Sequence, residues 1–258
     1  MFEQFLKPAS VDEAVKFKSQ FKDDSVFIAG GSKLNAAPTR STKSVAISLA
    51  GLGLSEIKAQ GGAVTIGATA TLQQVIDSPL VPAAVREAAG FVYSRNVRNQ
   101  ATFGGELFAR QNEAVLMPVL LVMNAKVLLS GGAEADLAAW LSGTRDGLVL
   151  GVVLSDAGVC CATRRVARTV GGQTVLTAAV ALTADGQQRI AVEGVVQGSV
   201  RLTAVEQKQL TGEALQAAVS EAVEPVADLR GSVSYKRYIS GVVVADLVAG
   251  CQQMSKEK

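Results

Sequence analysis

Two short segments of the chain combine a glycine pair with polar side chains in a spacing suited to anion binding. The first glycine segment (residues 29–35) and the second glycine segment (residues 101–107) read Ala29-Gly30-Gly31-Ser32-Lys33-Leu34-Asn35 and Ala101-Thr102-Phe103-Gly104-Gly105-Glu106-Leu107. Glycine lacks a Cβ atom and adopts positive φ freely, so a ligand can approach the backbone closely. Successive backbone N–H groups there can form an anion-binding nest, and Ser32 and Thr102 add hydroxyl donors. Either segment alone is more typical of an ordinary turn, but the two together predict a site for the two phosphates of a diphosphate.

The residue types that the chain lacks restrict its chemistry. It contains no histidine, which removes the commonest general base and metal ligand. Its three cysteines, Cys160, Cys161 and Cys251, form no C-x-x-C motif, so we expect neither an iron–sulfur cluster nor a structural zinc site from them. Adjacent Cys160 and Cys161 should point to opposite faces of a strand as small buried hydrophobic residues. Redox chemistry would therefore require a bound organic cofactor or another subunit.

Length and composition describe a globular protein with room for one large domain or two small ones. The chain has 258 residues, of which 48% are hydrophobic and 19% are charged. Its net charge of +2, without a long basic run, gives no electrostatic reason to expect nucleic acid binding. No apolar run approaches the roughly 20 residues of a membrane-spanning helix, and the N-terminus lacks the pattern of a signal peptide. We therefore expect a cytoplasmic protein without membrane insertion.

Capping signals and apolar periodicity predict the elements that carry the two glycine segments. Ser10-Val11-Asp12-Glu13 is a capping box that opens a helix to about Phe21, and a strand at residues 26–29 leads into the first glycine segment. Thr71-Leu72-Gln73-Gln74 is a second capping box, and the polar, basic stretch 93–100 leads into the second glycine segment. Further strands are predicted at residues 45–49 and 64–67, and a helix from Pro82 to Gly90.

The pattern changes around residues 157–158. Before this point we expect a helix at 113–122, in which Pro118 marks a kink or a late start, and a strand at 126–129. After it, β-rich runs at 174–183 and 189–196 meet at Asp185-Gly186, a strong hairpin signal. A helix at 213–222 follows, and then a long terminal helix capped by Ser232 with one face formed by Tyr235, Ile239, Val242 and Leu247. Strands followed by helices indicate a separate α+β domain.

Motifs of one known family occur in that family's order over nearly the whole chain. They are A-G-G-[ST]-[DE]-L at 29–34, I-G-A-x-[TA]-[TR] at 66–71, I-R-N-x-A-T-I-G-G-N-[IL] at 97–107, P-x-R-L-x-x-[AV]-E at 199–206 and D-x-R-[AG]-S-x-x-Y-[RK]-R at 228–237. On these motifs the chain resembles the FAD-binding subunit of molybdenum hydroxylases, the medium-subunit family of xanthine dehydrogenase and carbon monoxide dehydrogenase. A Rossmann-type NAD site is not indicated, because no G-x-G-x-x-G follows a strand and opens a helix.

The resemblance implies both a fold and a cofactor. The fold would be α+β, with a two-lobed FAD-binding domain of the molybdopterin dehydrogenase (PCMH-like) type at residues 1–158 and a CO dehydrogenase flavoprotein C-terminal-like domain at 159–258. FAD would be bound by residues of both glycine segments, namely Ala29, Gly30, Gly31, Ser32, Lys33, Leu34, Asn35, Thr102, Phe103, Gly104, Gly105 and Glu106.

The resemblance also implies a place in a larger oxidoreductase. The chain would be the electron-transfer flavoprotein component of a xanthine dehydrogenase-like, multi-subunit molybdenum hydroxylase. Its partners would be an iron–sulfur subunit and a molybdenum-cofactor subunit, and its electron acceptor would be NAD or a quinone-type molecule. The chain itself would contribute no catalytic residue and bind no metal, because the flavin carries the chemistry.

Three departures from the family's pattern bear on cofactor binding. Lys33 occupies a position where the family has Asp or Glu, and Glu106 one where it has Asn. In the stretch Gln111-Asn112-Glu113-Ala114-Val115, Val115 replaces an acid that would contact the flavin. A carboxylate about 4 Å from a phosphate is repelled by about 4 kcal/mol at an effective dielectric near 20, unless Lys33 pairs with Glu106. These departures favour an alternative, a structural docking subunit with lost or weakened FAD binding.

The arginines leave several interpretations open. Arg95 and Arg98 are equally consistent with phosphate contacts and with solvated surface charges. The family suggests a basic residue close to the flavin near the junction of the two domains, where Arg164, Arg165 and Arg168 are all candidates.

Overall fold

The computed structural model describes residues 2–36, 40–108, 114–144 and 147–256, and the first lobe of the fold is a small parallel sheet covered by a helix. Its elements are β1 (Gln4–Leu6), α1 (Val11–Phe21), β2 (Ser25–Ile28) and β3 (Val45–Ser48), in the strand order β1-β3-β2. The predicted capping box is half formed: the Ser10 hydroxyl accepts a hydrogen bond from the Glu13 amide, but the Glu13 carboxylate accepts one from the Ala9 amide and not from the amide of the N-cap residue Ser10. Strand β2 ends one residue before the first glycine segment, which therefore begins at the edge of this lobe.

A five-stranded antiparallel sheet organises the second lobe. Its elements are β4 (Ile57–Gln60), β5 (Ala63–Gly67), α2 (Leu72–Asp77), α3 (Ala83–Gly90), α4 (Arg95–Arg98), α5 (Phe103–Phe108), α6 (Met117–Val122), β6 (Lys126–Leu129), β7 (Glu134–Asp136), α7 (Leu137–Ser142) and β8 (Val149–Leu154). The strand order is β4-β5-β8-β6-β7. A large apolar core joins the sheet to the helices, and Phe103, Leu107 and Leu120 are among its fully buried members.

Helix α2 of the second lobe begins where the sequence predicts it, and α4 begins with a cap that was not predicted. Thr71 forms the complete capping box of α2 with Gln74, and Ser94 caps α4 by accepting a hydrogen bond from the Val97 amide. Thr71 also forms a β-bridge with Thr102, directly before α5. The bridge fixes the second glycine segment against the end of the sheet.

The C-terminal part of the chain is a four-stranded antiparallel sheet with helices on one side. Its elements are β9 (Cys160–Ala167), β10 (Thr174–Leu182), β11 (Gln188–Glu193), β12 (Ser199–Arg201), α8 (Thr203–Glu206), α9 (Gly212–Ala222) and α10 (Val233–Lys256). The hairpin predicted at Asp185-Gly186 joins β10 to β11, and Gly186 has a φ of +83°. Ala179, Ala181 and Ala191 of this sheet belong to the core of the second lobe, so the two parts pack directly together. The architecture confirms the expected α+β fold.

Two helices differ from the sequence prediction. Helix α6 begins at Met117, with Pro118 in its first turn, so proline marks a late start and not a kink; the predicted start at Glu113 lies outside the described residues. Of the face predicted for α10, Leu247 is buried and Ile239 packs against the C-terminal core, but Tyr235 is exposed, whereas Lys236, Val243 and Val244, outside that face, are buried. The reason is that α10 packs against both β10 and α9, which turns a different and broader face inward.

The two adjacent cysteines are half-buried, less than the sequence predicts, whereas Cys251 is buried. Cys160 packs against the C-terminal core and Cys161 against the core of the second lobe, on opposite faces of β9. Burial raises the pKa of the Cys161 and Cys251 thiols, so both stay protonated.

Within the described ranges, no helix is both long enough and apolar enough to cross a membrane. The domain boundary expected after residue 158 falls between β8 and β9 and remains a prediction.

Candidate functional site

The first glycine segment forms a turn with unpaired backbone donors. Gly31 has a φ of +68°, and its carbonyl accepts a hydrogen bond from the Asn35 amide at 3.0 Å. Among the described residues, the backbone N–H groups of Gly30, Gly31 and Ser32 have no acceptor. Three consecutive donors at a turn with positive φ are what an anion-binding nest requires. The geometry of this segment therefore fits a phosphate group.

Gly30 lies where the first glycine segment touches the residue before the second. A Cβ atom built on Gly30 would lie 1.6 Å from the Gln100 carbonyl oxygen. The missing side chain thus allows two backbones to meet, which is a use of glycine that the sequence alone did not distinguish from ligand contact.

The second glycine segment is helical, and its amides already have partners. The amides of Phe103 and Gly104 donate to the carbonyls of Ala70 and Ala68 at 2.8 Å each, and the Gly105 amide donates to the Thr102 hydroxyl at 3.2 Å. The expectation of a second nest of N–H groups is therefore wrong in this geometry, because the carbonyls of residues that follow β5 and the Thr102 hydroxyl accept from those donors. A Cβ atom on Gly104 would lie 2.9 Å from both the Cβ and the carbonyl oxygen of Ala68. The second segment contributes side chains to the site instead of amides.

An ion pair joins the two glycine segments. The Nζ atom of Lys33 lies 2.8 Å from Oε1 of Glu106, as expected if the segments face each other. The Lys33 side chain is 30% exposed, whereas that of Glu106 is 3% exposed. The second carboxylate oxygen of Glu106, Oε2, is buried and has no hydrogen-bond partner among the described residues.

A cavity of about 130 Å³ lies between the two glycine segments, and we call it the glycine cavity. Nine of the twelve predicted site residues line it: Ala29, Gly30, Gly31, Ser32, Lys33, Leu34, Thr102, Gly105 and Glu106. The other three, Asn35, Phe103 and Gly104, do not line this cavity. Asn35 closes the turn, Phe103 is fully buried in the core, and Gly104 packs on Ala68, so these residues support the site from within the fold.

A larger cavity of about 230 Å³ shares Ser32, Lys33, Ala101 and Glu106 with the first, and we call it the hairpin cavity. Its remaining walls come from the end of α3, from α4, from Val115 and from the turn between β9 and β10; they are Phe91, Val92, Tyr93, Val97, Val115, Arg165, Val170, Gly171, Gly172 and Thr174. Val115 thus lies in the wall, whereas residues 111–113 of the stretch discussed above lie outside the described residues. The sequence analysis did not single out the pair Gly171-Gly172, which is one of five glycine pairs in the chain, so the pair alone did not distinguish this turn.

The arginines singled out in the sequence make different contacts in the structure. Arg165 lines the hairpin cavity, where its guanidinium donates to the Thr174 hydroxyl, the Val170 carbonyl and the Gly172 carbonyl. Arg164 instead forms an exposed pair with Asp246 at 3.1 Å. Arg98 donates to the Gln73 side chain and to the carbonyls of Val92 and Tyr93. Arg98 therefore holds α4 in place, and Arg165 is a candidate arginine that lines the hairpin cavity.

Glu193, at the end of β11, is a buried carboxylate near this region that sequence reasoning missed. It is 1% exposed, and its Oε1 atom has no hydrogen-bond partner among the described residues. Burial raises its pKa to about 7, although the Ser199 hydroxyl, the Ala114 amide, Arg230 and Lys33 all favour the charged form. The protonated carboxyl is thus the form that the folded protein prefers below neutral pH.

The raised pKa of Glu193 predicts a pH-dependent stability. A carboxyl whose pKa is near 7 when folded and near 4.5 when unfolded stabilises the fold fully at low pH, and this contribution is lost as the pH rises through about 7. Glu193→Gln should therefore be more stable than the wild type by about 2 kcal/mol at about pH 8 and nearly equal to it at about pH 5. Urea unfolding at both pH values measures the difference. If Glu193→Gln were more stable than the wild type by the same free energy at both pH values, the raised pKa would not belong to Glu193.

Comparison with known proteins gives a consistent family assignment. Residues 1–151 match the family described as the FAD binding domain in molybdopterin dehydrogenase. The chain is 49% identical to YgfM of Escherichia coli (strain K12) over 257 residues, which cover 100% of this chain and 99% of that protein. It is 28% identical to the carbon monoxide dehydrogenase medium chain of Hydrogenophaga pseudoflava over 274 residues, with 93% of this chain and 94% of that protein covered.

The solved structures agree with the sequence matches. A structure of carbon monoxide dehydrogenase from Hydrogenophaga pseudoflava, in a form that lacks the Mo-pyranopterin moiety of the molybdenum cofactor, superimposes with a TM-score of 0.86 at 26% identity. The match covers 98% of each chain. Together with the family match over residues 1–151, this confirms the expected fold and an FAD-type site: the chain belongs to the family of FAD-binding domains in molybdopterin dehydrogenases.

Proposed function

We propose that this chain is the FAD-binding electron-transfer subunit of a cytoplasmic, multi-subunit molybdenum hydroxylase of the xanthine dehydrogenase type. In this function it accepts electrons from the clusters of an iron–sulfur subunit and passes them to NAD or a quinone-type acceptor. A separate molybdenum-cofactor subunit hydroxylates the substrate. The related carbon monoxide dehydrogenase medium chain is itself one named chain of a larger enzyme, which supports a role as a component.

The observation that carries the proposal is that two glycine segments from separate lobes line one cavity and are joined by the Lys33–Glu106 pair. The free amides of Gly30, Gly31 and Ser32 would hold the diphosphate of FAD, with the Thr102 hydroxyl and the Lys33 cation beside them. The remaining predicted residues, Ala29, Leu34, Asn35, Phe103, Gly104 and Gly105, would shape and support the cradle.

The bound flavin would supply the redox chemistry, and the chain's own residues would bind and shield it. Phe91, Val92, Val97 and Val115 give the hairpin cavity an apolar wall that excludes water from a planar ring. Arg165 is held by three hydrogen bonds at that cavity and would add a fixed positive charge near the ring. In this proposal residues 1–158 form the FAD-binding domain, and residues 159–258 form the C-terminal domain that covers it.

One observation favours a second candidate, a docking subunit with little or no FAD. Val115 and Glu106 both face the cavities, where the family has an acid and an amide. A chain that assembles with the same partners but binds no flavin would satisfy this alternative.

Electron transfer can be tested without knowing the substrate of the complex. The iron–sulfur subunit from the same host is reduced with dithionite, desalted, and mixed anaerobically with the FAD-loaded chain. We expect the flavin absorbance to bleach as the clusters reoxidise, and to do so faster than with free FAD as a control. Clusters that stay reduced while the bound flavin stays oxidised would contradict the electron-transfer function.

A further inference from the structure

The carboxylate of Glu106 has one oxygen in an ion pair and one without a partner. Oε1 accepts from the Lys33 ammonium at 2.8 Å, whereas Oε2 is buried and has no hydrogen-bond partner among the described residues. The whole residue is 2% exposed. A buried acceptor without a donor costs free energy, and a ligand that brings a donor recovers it.

Glu106 lies at the point where the two cavities meet. It is one of four residues, with Ser32, Lys33 and Ala101, that line both the glycine cavity and the hairpin cavity. An elongated ligand that occupied both cavities would lie against these four residues, Glu106 among them.

The chemistry of a carboxylate restricts which part of such a ligand can lie there. An ionised carboxylate is only an acceptor, so it repels a phosphate oxygen or a carbonyl and attracts a hydroxyl or an amino group. Lys33 places Glu106 beside the first glycine segment, whose free amides suit the diphosphate. The groups next to a diphosphate in FAD are the ribose of adenosine on one side and the ribityl chain on the other, and both carry hydroxyl groups.

We propose that Glu106 is a specificity-determining residue that accepts a hydrogen bond through Oε2 from a sugar hydroxyl of the bound dinucleotide. The inference rests on the proposed function, since it takes FAD as the ligand. Lys33 keeps the carboxylate neutralised, so that it recognises the hydroxyl without repelling the adjacent diphosphate. The Asn-to-Glu departure thereby becomes a means of selecting a hydroxylated ligand.

The test compares FAD with five analogues, each lacking one hydroxyl: the 2′ or 3′ position of the adenosine ribose, or the 2′, 3′ or 4′ position of the ribityl chain. Binding to the full-length apoprotein is measured by quenching of flavin fluorescence. We expect one analogue to bind the wild type about tenfold more weakly than FAD, or worse, which is the scale of a lost hydrogen bond to a charged group. The analogue affected tells whether the ribose or the ribityl chain donates.

Two variants make the result specific to Glu106. In Glu106→Ala, FAD and the affected analogue should bind equally, whereas Glu106→Gln, which keeps an acceptor oxygen, should retain part of the difference. Glu134→Ala is the matched control, because Glu134 is an exposed carboxylate that pairs with Lys126 at 3.8 Å, and it should preserve the wild-type difference. Thermal melting checks that each variant is folded. If Glu106→Ala does not fold, Glu106→Gln alone decides the test.

Three outcomes would overturn the inference. If all five analogues bind the wild type as tightly as FAD does, Glu106 makes no hydrogen bond to a sugar hydroxyl. A difference that persists unchanged in both Glu106 variants would assign the contact to another residue. Failure of the wild type to bind FAD at all would reject the proposed function, and this inference with it.

Discussion

Gly30→Ala should lower the free energy of unfolding by about 3 kcal/mol or more and abolish FAD binding, because the new methyl group has no room. Its Cβ atom would lie 1.6 Å from the Gln100 carbonyl oxygen, which is backbone and cannot rotate away. The two glycine segments would have to separate, and the cavity between them would lose its shape. Urea unfolding and FAD titration of the purified variant measure the two effects.

Gly250→Ala is the control for this substitution. Gly250 lies within α10, and a Cβ atom there would have no heavy atom within 4 Å. Alanine in a helix interior is more favourable than glycine by roughly 0.5–1 kcal/mol, so this variant should be neutral or slightly more stable. If Gly30→Ala were as stable as Gly250→Ala and bound FAD normally, the contact between the segments would not be what holds the site together.

Asp228→Ala should destabilise the C-terminal part by about 3 kcal/mol, because it leaves a buried ammonium without its counter-charge. The Lys236 side chain is 1% exposed, and its Nζ atom lies 2.9 Å from the Asp228 carboxylate and 2.7 Å from the Val226 carbonyl. Hydrogen bonds from Arg230 and then from Lys236 hold the pKa of Asp228 well below its ordinary value. The stabilisation is therefore present above about pH 4 and is lost as the pH falls through the lowered pKa.

Asp246→Ala and a double variant complete the experiment. Asp246 pairs with Arg164 at 3.1 Å, but both side chains are about half exposed, so its loss should cost no more than about 0.5 kcal/mol. Adding Lys236→Met to Asp228→Ala removes the stranded charge and should recover part of the stability. Equal effects of Asp228→Ala and Asp246→Ala in urea unfolding near neutral pH would show that the pair of Asp228 with the buried Lys236 contributes little to stability.

The sequence predicted best what depends on neighbouring residues. The helix starts at Ser10 and Thr71 and the hairpin at Asp185-Gly186 need only local chemistry, and all three are confirmed, although only Thr71 forms a complete capping box. The Lys33–Glu106 pair was also anticipated, because opposite charges occupied positions that the family resemblance placed face to face.

Features that depend on tertiary contacts were not readable from the sequence. From the sequence, Gly30 and Gly104 were expected to let a ligand approach the backbone. In the structure the missing side chains instead allow close contact with other parts of the chain, Gln100 at Gly30 and Ala68 at Gly104. Nothing local indicated that Glu193 would be buried near Lys33, or that the Arg165 side chain would lie in a cavity wall. Strand register and packing between the lobes determine these positions, and a single sequence contains no direct signal for either.

Titration of the purified apoprotein with FAD and with FMN tests the central claim most directly. The first glycine segment offers a nest for the diphosphate, and FMN has only one phosphate and no adenosine, so we expect saturable binding of one FAD per chain and much weaker binding of FMN. Heating the yellow complex should release FAD, identified by chromatography. A folded chain that stays colourless in excess FAD, or that binds FMN as tightly as FAD, would contradict the account.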